Sequence, residues 1–266
     1  MTGDQPWKGQ EYERNYRNEF AHLIDRQVDL LELGIHEGGS LRWWRDFFPK
    51  GCIVGLDINS SDADADRIRT YQGGQQDTAL LDRIASENAP DGFDIIIDDA
   101  SHVADYTEQA FWHLFRNHLK PGGIYVIEDW ATGYNPKWTD GRAYNPPANL
   151  VAHLQPAGQA SAAPAKPGAG AIVRASIRNV ARPVSRRLER VSPRLQARLR
   201  ETYLRVDAVG HQQDYPSHSA GMVGFVKQLV DSTALNSIIR DGSNPRPEIT
   251  HLRISAQHVF CYKRQD

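Results

Sequence analysis

The sequence has 266 residues, 24% charged and 40% hydrophobic, with a formal net charge of −2. This length suits one α/β domain or two small ones, with a sizeable core. A mean hydropathy of −0.57, with no apolar run near the ~20 residues of a bilayer span, excludes a transmembrane helix.

Residues 1–14 are polar and mixed in charge, without the apolar stretch of a secretory signal. Charge and aromatics through residue 28 (Trp7, Tyr12, Tyr16, Phe20) predict a leading helix or two. Four short apolar runs follow: Val28–Leu33, Cys52–Leu56, Phe93–Ile97 and Gly123–Ile127. The gaps between them each hold one crossover helix, so the pattern predicts parallel strands with helices on both faces. Phe111, Leu114 and Phe115 have helical spacing, and Lys120-Pro121-Gly122-Gly123 predicts a stop and turn.

Beyond Trp130 the texture changes. Residues 131–149 read as a loop, and residues 155–171, rich in Ala, Pro, Gly and Ser, as a flexible linker. From Val173 apolar residues step by 3 or 4, which predicts basic amphipathic helices over 172–205, broken at Pro183 and Pro193. Met222, Phe225, Val226, Leu229 and Val230 predict another helix. Val259–Tyr262 reads as a last core strand with Ile249–Ile254 as its partner. The expected organisation is a core of residues 1–130 and 219–266, with 131–218 inserted. Cys52 and Cys261 follow no metal-site spacing and predict no disulfide framework, so a cytoplasmic setting is expected.

The net charge conceals a division. Ten arginines, one lysine and two acids lie between Ala157 and Arg205, a net of +9, which leaves −11 for the remainder. No nucleic-acid partner is expected. The arginine helices read first as a solvated face, then as a peripheral membrane contact through 172–200, then as a subunit interface of a homo-oligomer.

The first strand runs into Glu32-Leu33-Gly34-Ile35-His36-Glu37-Gly38-Gly39-Ser40. Its glycines permit a sharp turn and close ligand approach, but the spacing is not the G-x-G-x-x-G of a dinucleotide site. The second strand ends in Asp57, placed to accept hydrogen bonds from ribose hydroxyls. Gln75 and Asp77 follow where a third strand would end, and suit an adenine edge. Glycine turn, strand-end acid and polar third loop together resemble the class I S-adenosylmethionine-dependent methyltransferases, with a Rossmann-like sheet. That resemblance implies Glu32, Gly34, Gly38, Ser40, Asp57, Gln75, Asp77 and Asp98 as cofactor residues.

Two further runs deliver Asp98-Asp99-Ala100-Ser101-His102 and Glu128-Asp129-Trp130 to neighbouring strand ends. Four carboxylates crowded at one sheet edge call for a cation, and an all-oxygen set calls for a hard divalent one. His102 reaches the same space, and imidazole titrates near neutrality, as a general base requires.

Asp99-Ala100-Ser101-His102 with Glu128-Asp129 resembles the metal-dependent sugar O-methyltransferases of macrolide pathways and of mycobacterial glycans, the cephalosporin hydroxylase-like group. The likeness covers Tyr12–Trp130 and resumes at Ser219–Val230. It departs at Ala100, where glycine is usual, and at Gly73-Gly74-Gln75, where Gly-Asp-Gln is usual. It implies Asp99, Glu128 and Asp129 as Mg2+ ligands, His102 as catalytic base, and S-adenosylmethionine as donor. The implied acceptor is a sugar hydroxyl of a glycoside, natural product or glycan, with the insert over its site. Two alternatives stay open: a catechol or phenol O-methyltransferase with the same metal, and a non-catalytic nucleoside-binding module.

Overall fold

The computed structural model describes residues 9–144, 218–235 and 247–265. These belong to one compact unit, and residues 145–217 are grouped apart from it. The linker at 155–171 and the basic helices at 172–205 lie outside the described residues.

The unit is built on one seven-stranded sheet. Its strands are β1 (Asp29–Leu33), β2 (Cys52–Asp57), β3 (Ile68–Gln72), β4 (Phe93–Asp98), β5 (Leu119–Glu128), β6 (Ile249–Ile254) and β7 (His258–Lys263). Their order is β3-β2-β1-β4-β5-β7-β6. The first five are parallel, and β7 runs antiparallel to both β5 and β6. The order reverses between β1 and β4, the switch point at which such sheets bind ligands outside the carboxyl ends of their strands.

The helices are α1 (Gln10–Phe20), α2 (Gly39–Phe47), α3 (Thr78–Asn88), α4 (Ala104–Asn117) and α5 (Gly221–Thr233). They cover both faces, as the alternating apolar runs predict. Leu31, Leu33, Ile96, Tyr125 and Ile127 meet α3, α4 and α5 on one face. Leu30, Ile53, Ile95, Ile97 and Val126 meet α1 and α2 on the other, under Tyr16, Phe20, Trp44 and Phe48. Each large aromatic removes roughly 150–250 Å² from water, so these rings dominate that layer.

β3 ends at Gln72, where a third strand is expected, but it has no apolar run because it is the sheet's edge strand, and only Ile68 of its five residues is buried. Two elements differ from the sequence reading. The predicted stop at Lys120–Gly123 lies inside β5, whose register shifts against β4 between Phe93 and Ile95. The helix has already ended at Asn117. Residues 131–144, read as a loop, hold two 3-10 turns, Trp130–Tyr134 and Asp140–Ala143. Asp140 Oδ2 accepts from the backbone N–H groups of Ala104 and Met222, both at 2.8 Å. One carboxylate thereby satisfies the first turns of α4 and α5. Among the described residues no helix is long and apolar enough to cross a membrane.

Candidate active site

The carboxyl ends of β1, β2 and β4 and the loop after β3 enclose a cavity of about 930 Å³. Gly34, Ser40, Asp57 and Gln75 line it, as do Gly39, His36, Asn59, Ser101 and Tyr106. Gly34 has φ +84, and a Cβ there would lie 2.3 Å from the carbonyl oxygen of Asp99. The turn after β1 thus touches the turn after β4. Gly38, also left-handed at φ +72, is the N-cap of α2 and packs against Ala63. Gly39, not Gly38, faces the cavity.

Asp57 Oδ2 accepts from Ile35 N and His36 N, both at 3.0 Å, and Oδ1 from Asn59 N at 2.9 Å. Burial acts to raise its pKa, but these backbone donors together outweigh burial and hold it below the usual carboxylate range. Its charge fixes the first loop. Asn59 Nδ2 adds a longer bond to Oδ1, at 3.3 Å.

Gln75 and Asp98 form a buried brace. Gln75 Nε2 donates to both oxygens of Asp98, at 3.1 and 3.2 Å, while its Oε1 accepts from Ser101 N at 2.9 Å. Tyr125 OH also donates to Asp98. Burial pushes the Asp98 carboxyl up to about 7, reinforced by the neighbouring charge of Asp99 and opposed by these donors and Ala100 N. Asp98 and Glu32 are fully or almost fully buried and do not line the cavity. Asp77, expected at an adenine edge, instead caps α3: its Oδ1 accepts from Leu80 N. That task leaves it off the cavity wall.

The acidic pairs divide rather than crowd. Successive residues of a strand point to opposite faces, and Asp98 pairs with Ile127 across β4 and β5. Asp98 therefore enters the layer under α4, and Glu128 the layer under α1. Asp99 and Asp129, one residue further on, converge with His102: one ligand atom from each lies within 4.8 Å of the others. His102 Nε2 is 3.8 Å from Asp99 Oδ1, beyond hydrogen-bond reach. Glu128, expected as a third ligand, is buried behind this triad and accepts from Tyr16 OH at 2.5 Å. His102 and Asp129 both have left-handed backbones, φ +53 and +52, a strain that non-glycine residues hold where their surroundings over-determine them. Trp138, 39% exposed, sets its ring edge-on to His102 at 5.0 Å.

Two tyrosines escaped the sequence reading as site residues. Tyr12 OH donates to Asp129 Oδ1, and Tyr16 OH to Glu128. They are four residues apart on α1, hence on one helix face, which was the available signal. Burial, then the nearby acids, raise both phenols, so both remain donors. His258, fully buried, pairs with Glu128 across β5 and β7 and accepts or donates at Nδ1 with Asn15 at 3.3 Å. Tyr16→Phe leaves a buried carboxylate one donor short, which costs about 2 kcal/mol. The melting temperature should fall by roughly 4–8 °C. A fall of under about 1 °C would show the bond to be dispensable.

The sheet order, the cavity at its switch point and the carboxylate edge define the class I methyltransferase fold. No family model matches the chain. Over 138 residues it is 46% identical to mycinamicin VI 2''-O-methyltransferase of Micromonospora griseorubida, covering 49% of this chain and 33% of that protein. It is 43% identical over 142 residues to demethylmacrocin O-methyltransferase of Streptomyces fradiae, covering 50% and 34%. MycE methyltransferase from the mycinamycin pathway, solved with Mg and SAH, aligns with 98% of this chain and 52% of its own. The TM-score is 0.62 and the identity 28%. A second MycE structure, with Mg, SAH and mycinamycin VI, gives 0.60 and 27%, over 98% of this chain and 52% of that one. The chain is thus a homologue of sugar O-methyltransferases. Its matches span about a third of the curated relatives and about half of the solved one.

Proposed function

We propose that the protein transfers a methyl group from S-adenosylmethionine to a sugar hydroxyl of a glycoside or glycan, with a divalent cation orienting the acceptor. One observation carries this reading: Asp99 belongs both to the nucleoside-sized cavity and to the Asp99–His102–Asp129 triad. A donor pocket and a cation-compatible edge therefore share a wall. Homology to MycE, which binds Mg and SAH, supports the same pairing.

The donor set fits both groups. A cavity of this size with glycine backbone and a strand-end acid accommodates a nucleoside. The negative field on Tyr12, from Asp129, Glu128 and Asp99, suits a hard cation held by Asp99 and Asp129, with Glu128 behind. Mg2+, when bound, lowers the pKa of a sugar hydroxyl and fixes its direction.

His102 receives the hydroxyl proton at Nε2 as the oxygen attacks the sulfonium methyl in line; the methyl–sulfur bond breaks and S-adenosylhomocysteine leaves. Its buried setting and the Trp138 edge limit its rotation, so the proton acceptor is held in place. Trp138 offers an apolar face to a sugar ring, and residues 131–144 wall the acceptor side.

The test is a transfer assay with labelled S-adenosylmethionine against partly methylated glycosides and catechols. Transfer to sugars, lost in EDTA and restored by Mg2+, is the expected result. Full transfer in EDTA overturns the metal's role. Transfer to catechols alone overturns the sugar acceptor.

A further inference from the structure

At the opposite edge of the sheet, three side chains converge outside the machinery described above. Asp82 lies on α3, His113 one turn before the end of α4, and His118 caps that helix. His113 Nε2 lies 2.7 Å and His118 Nε2 2.6 Å from the same oxygen, Asp82 Oδ1. The ligand atoms of all three sit within 4.8 Å of one another. His118 is fixed from behind, because its carbonyl accepts from Phe93 N at 2.7 Å. β4 separates this group from Asp99 by about 16 Å, at ~3.3 Å per residue.

We propose that Asp82, His113 and His118 form a binding site for a borderline transition-metal cation, with Zn2+ the best fit. Two imidazole nitrogens and one carboxylate oxygen are a common zinc donor set, and a water completes the tetrahedron. The nitrogen-rich set disfavours Mg2+, which demands oxygen. The two edges of the sheet thus offer cations different chemistry: oxygens beside the methyl-transfer cavity, nitrogens here.

The geometry allows the change that binding requires. Metal ligands in a tetrahedron stand farther apart than hydrogen-bond partners, at metal–ligand lengths of ~2.0–2.2 Å. Asp82, with 55% of its side chain exposed, has room to step back, while the histidines, at 19% and 20%, are held by α4. Asn117 Nδ2 lies 3.5 Å from His113 Nδ1; turning that amide over places its Oδ1 to accept from Nδ1–H once Nε2 is on the metal. Such a site would tie α3 to the end of α4. It binds the folded chain, so the melting temperature should rise with added Zn2+.

The full chain, stripped with chelator and dialysed, is titrated calorimetrically with ZnCl2 in saturating MgCl2. Melting is followed in parallel. One equivalent of Zn2+ should bind and raise the melting temperature. Both effects should vanish in His113→Ala/His118→Ala and in the isosteric Asp82→Asn, each checked for folding by circular dichroism. Both should survive in Asp99→Asn/Asp129→Asn. No uptake by the wild type overturns the proposal. So does uptake that persists without the histidines, or that disappears with Asp99 and Asp129.

Discussion

His102→Ala should lower kcat by about 10²–10⁴-fold, the usual contribution of a positioned proton acceptor, while binding of S-adenosylhomocysteine stays intact. Its ring lies 8% exposed beside Asp99, outside the residues that enclose the cavity, so the cofactor should not sense the change. Asp129→Ala should remove activity too, by a different route. Asp129 converges with Asp99, and its loss should weaken Mn2+ or Mg2+ binding measured directly by calorimetry. The pair of variants separates two roles for His102. If it is the base, His102→Ala binds the cation as wild type does. If cation binding collapses in His102→Ala, the imidazole is a ligand and the base lies elsewhere. Unchanged turnover in His102→Ala removes it from the chemistry altogether.

Much of this arrangement was legible because strand ends in a parallel sheet are predictable. Apolar runs gave β1, β2, β4 and the end of β5, and the last two strands pair as expected. Gly34, Ser40, Asp57 and Gln75 fall on the cavity wall. What stayed hidden depended on which face a side chain takes. Asp98-Asp99 and Glu128-Asp129 read as four carboxylates at one place. The pleat sends Asp98 toward Tyr125 and Gln75, and Glu128 toward Tyr16. Only the second acid of each pair reaches the triad. Asp77 looked equivalent to Gln75, but a residue at the mouth of a helix is drawn to the unpaired N–H groups there. Tyr12, Tyr16 and His258 were illegible as a group, since they come from opposite ends of the chain. Their meeting depends on β7 inserting antiparallel beside β5.

Gly34→Ala should damage folding and cofactor binding together, because this position joins the two loops that define the site. Gly34 N donates to Leu56 O at 2.7 Å, and Asp99 N donates to Leu33 O at 2.8 Å. These bonds lock the turn after β1 between β2 and the β4 loop. An added methyl would meet Asp99 O at 2.3 Å and Ala100 Cα at 2.6 Å. Both are backbone atoms, so no side-chain rotation relieves the contact. A φ of +84 adds about 1–2 kcal/mol for any residue with a Cβ, and overpacking adds about 1–3. The total, roughly 2–5 kcal/mol, is a large part of the 5–15 that holds a typical domain folded. At about 2–4 °C per kcal/mol, the melting temperature should fall by roughly 4–20 °C. Any folded fraction must push Asp99 away from Gly34. Because Asp99 serves both the cavity and the triad, S-adenosylhomocysteine and Mn2+ should both bind more weakly. A variant that melts like the wild type and binds both normally would show that the two loops can part without consequence, and that Asp99 is not the shared wall of the site.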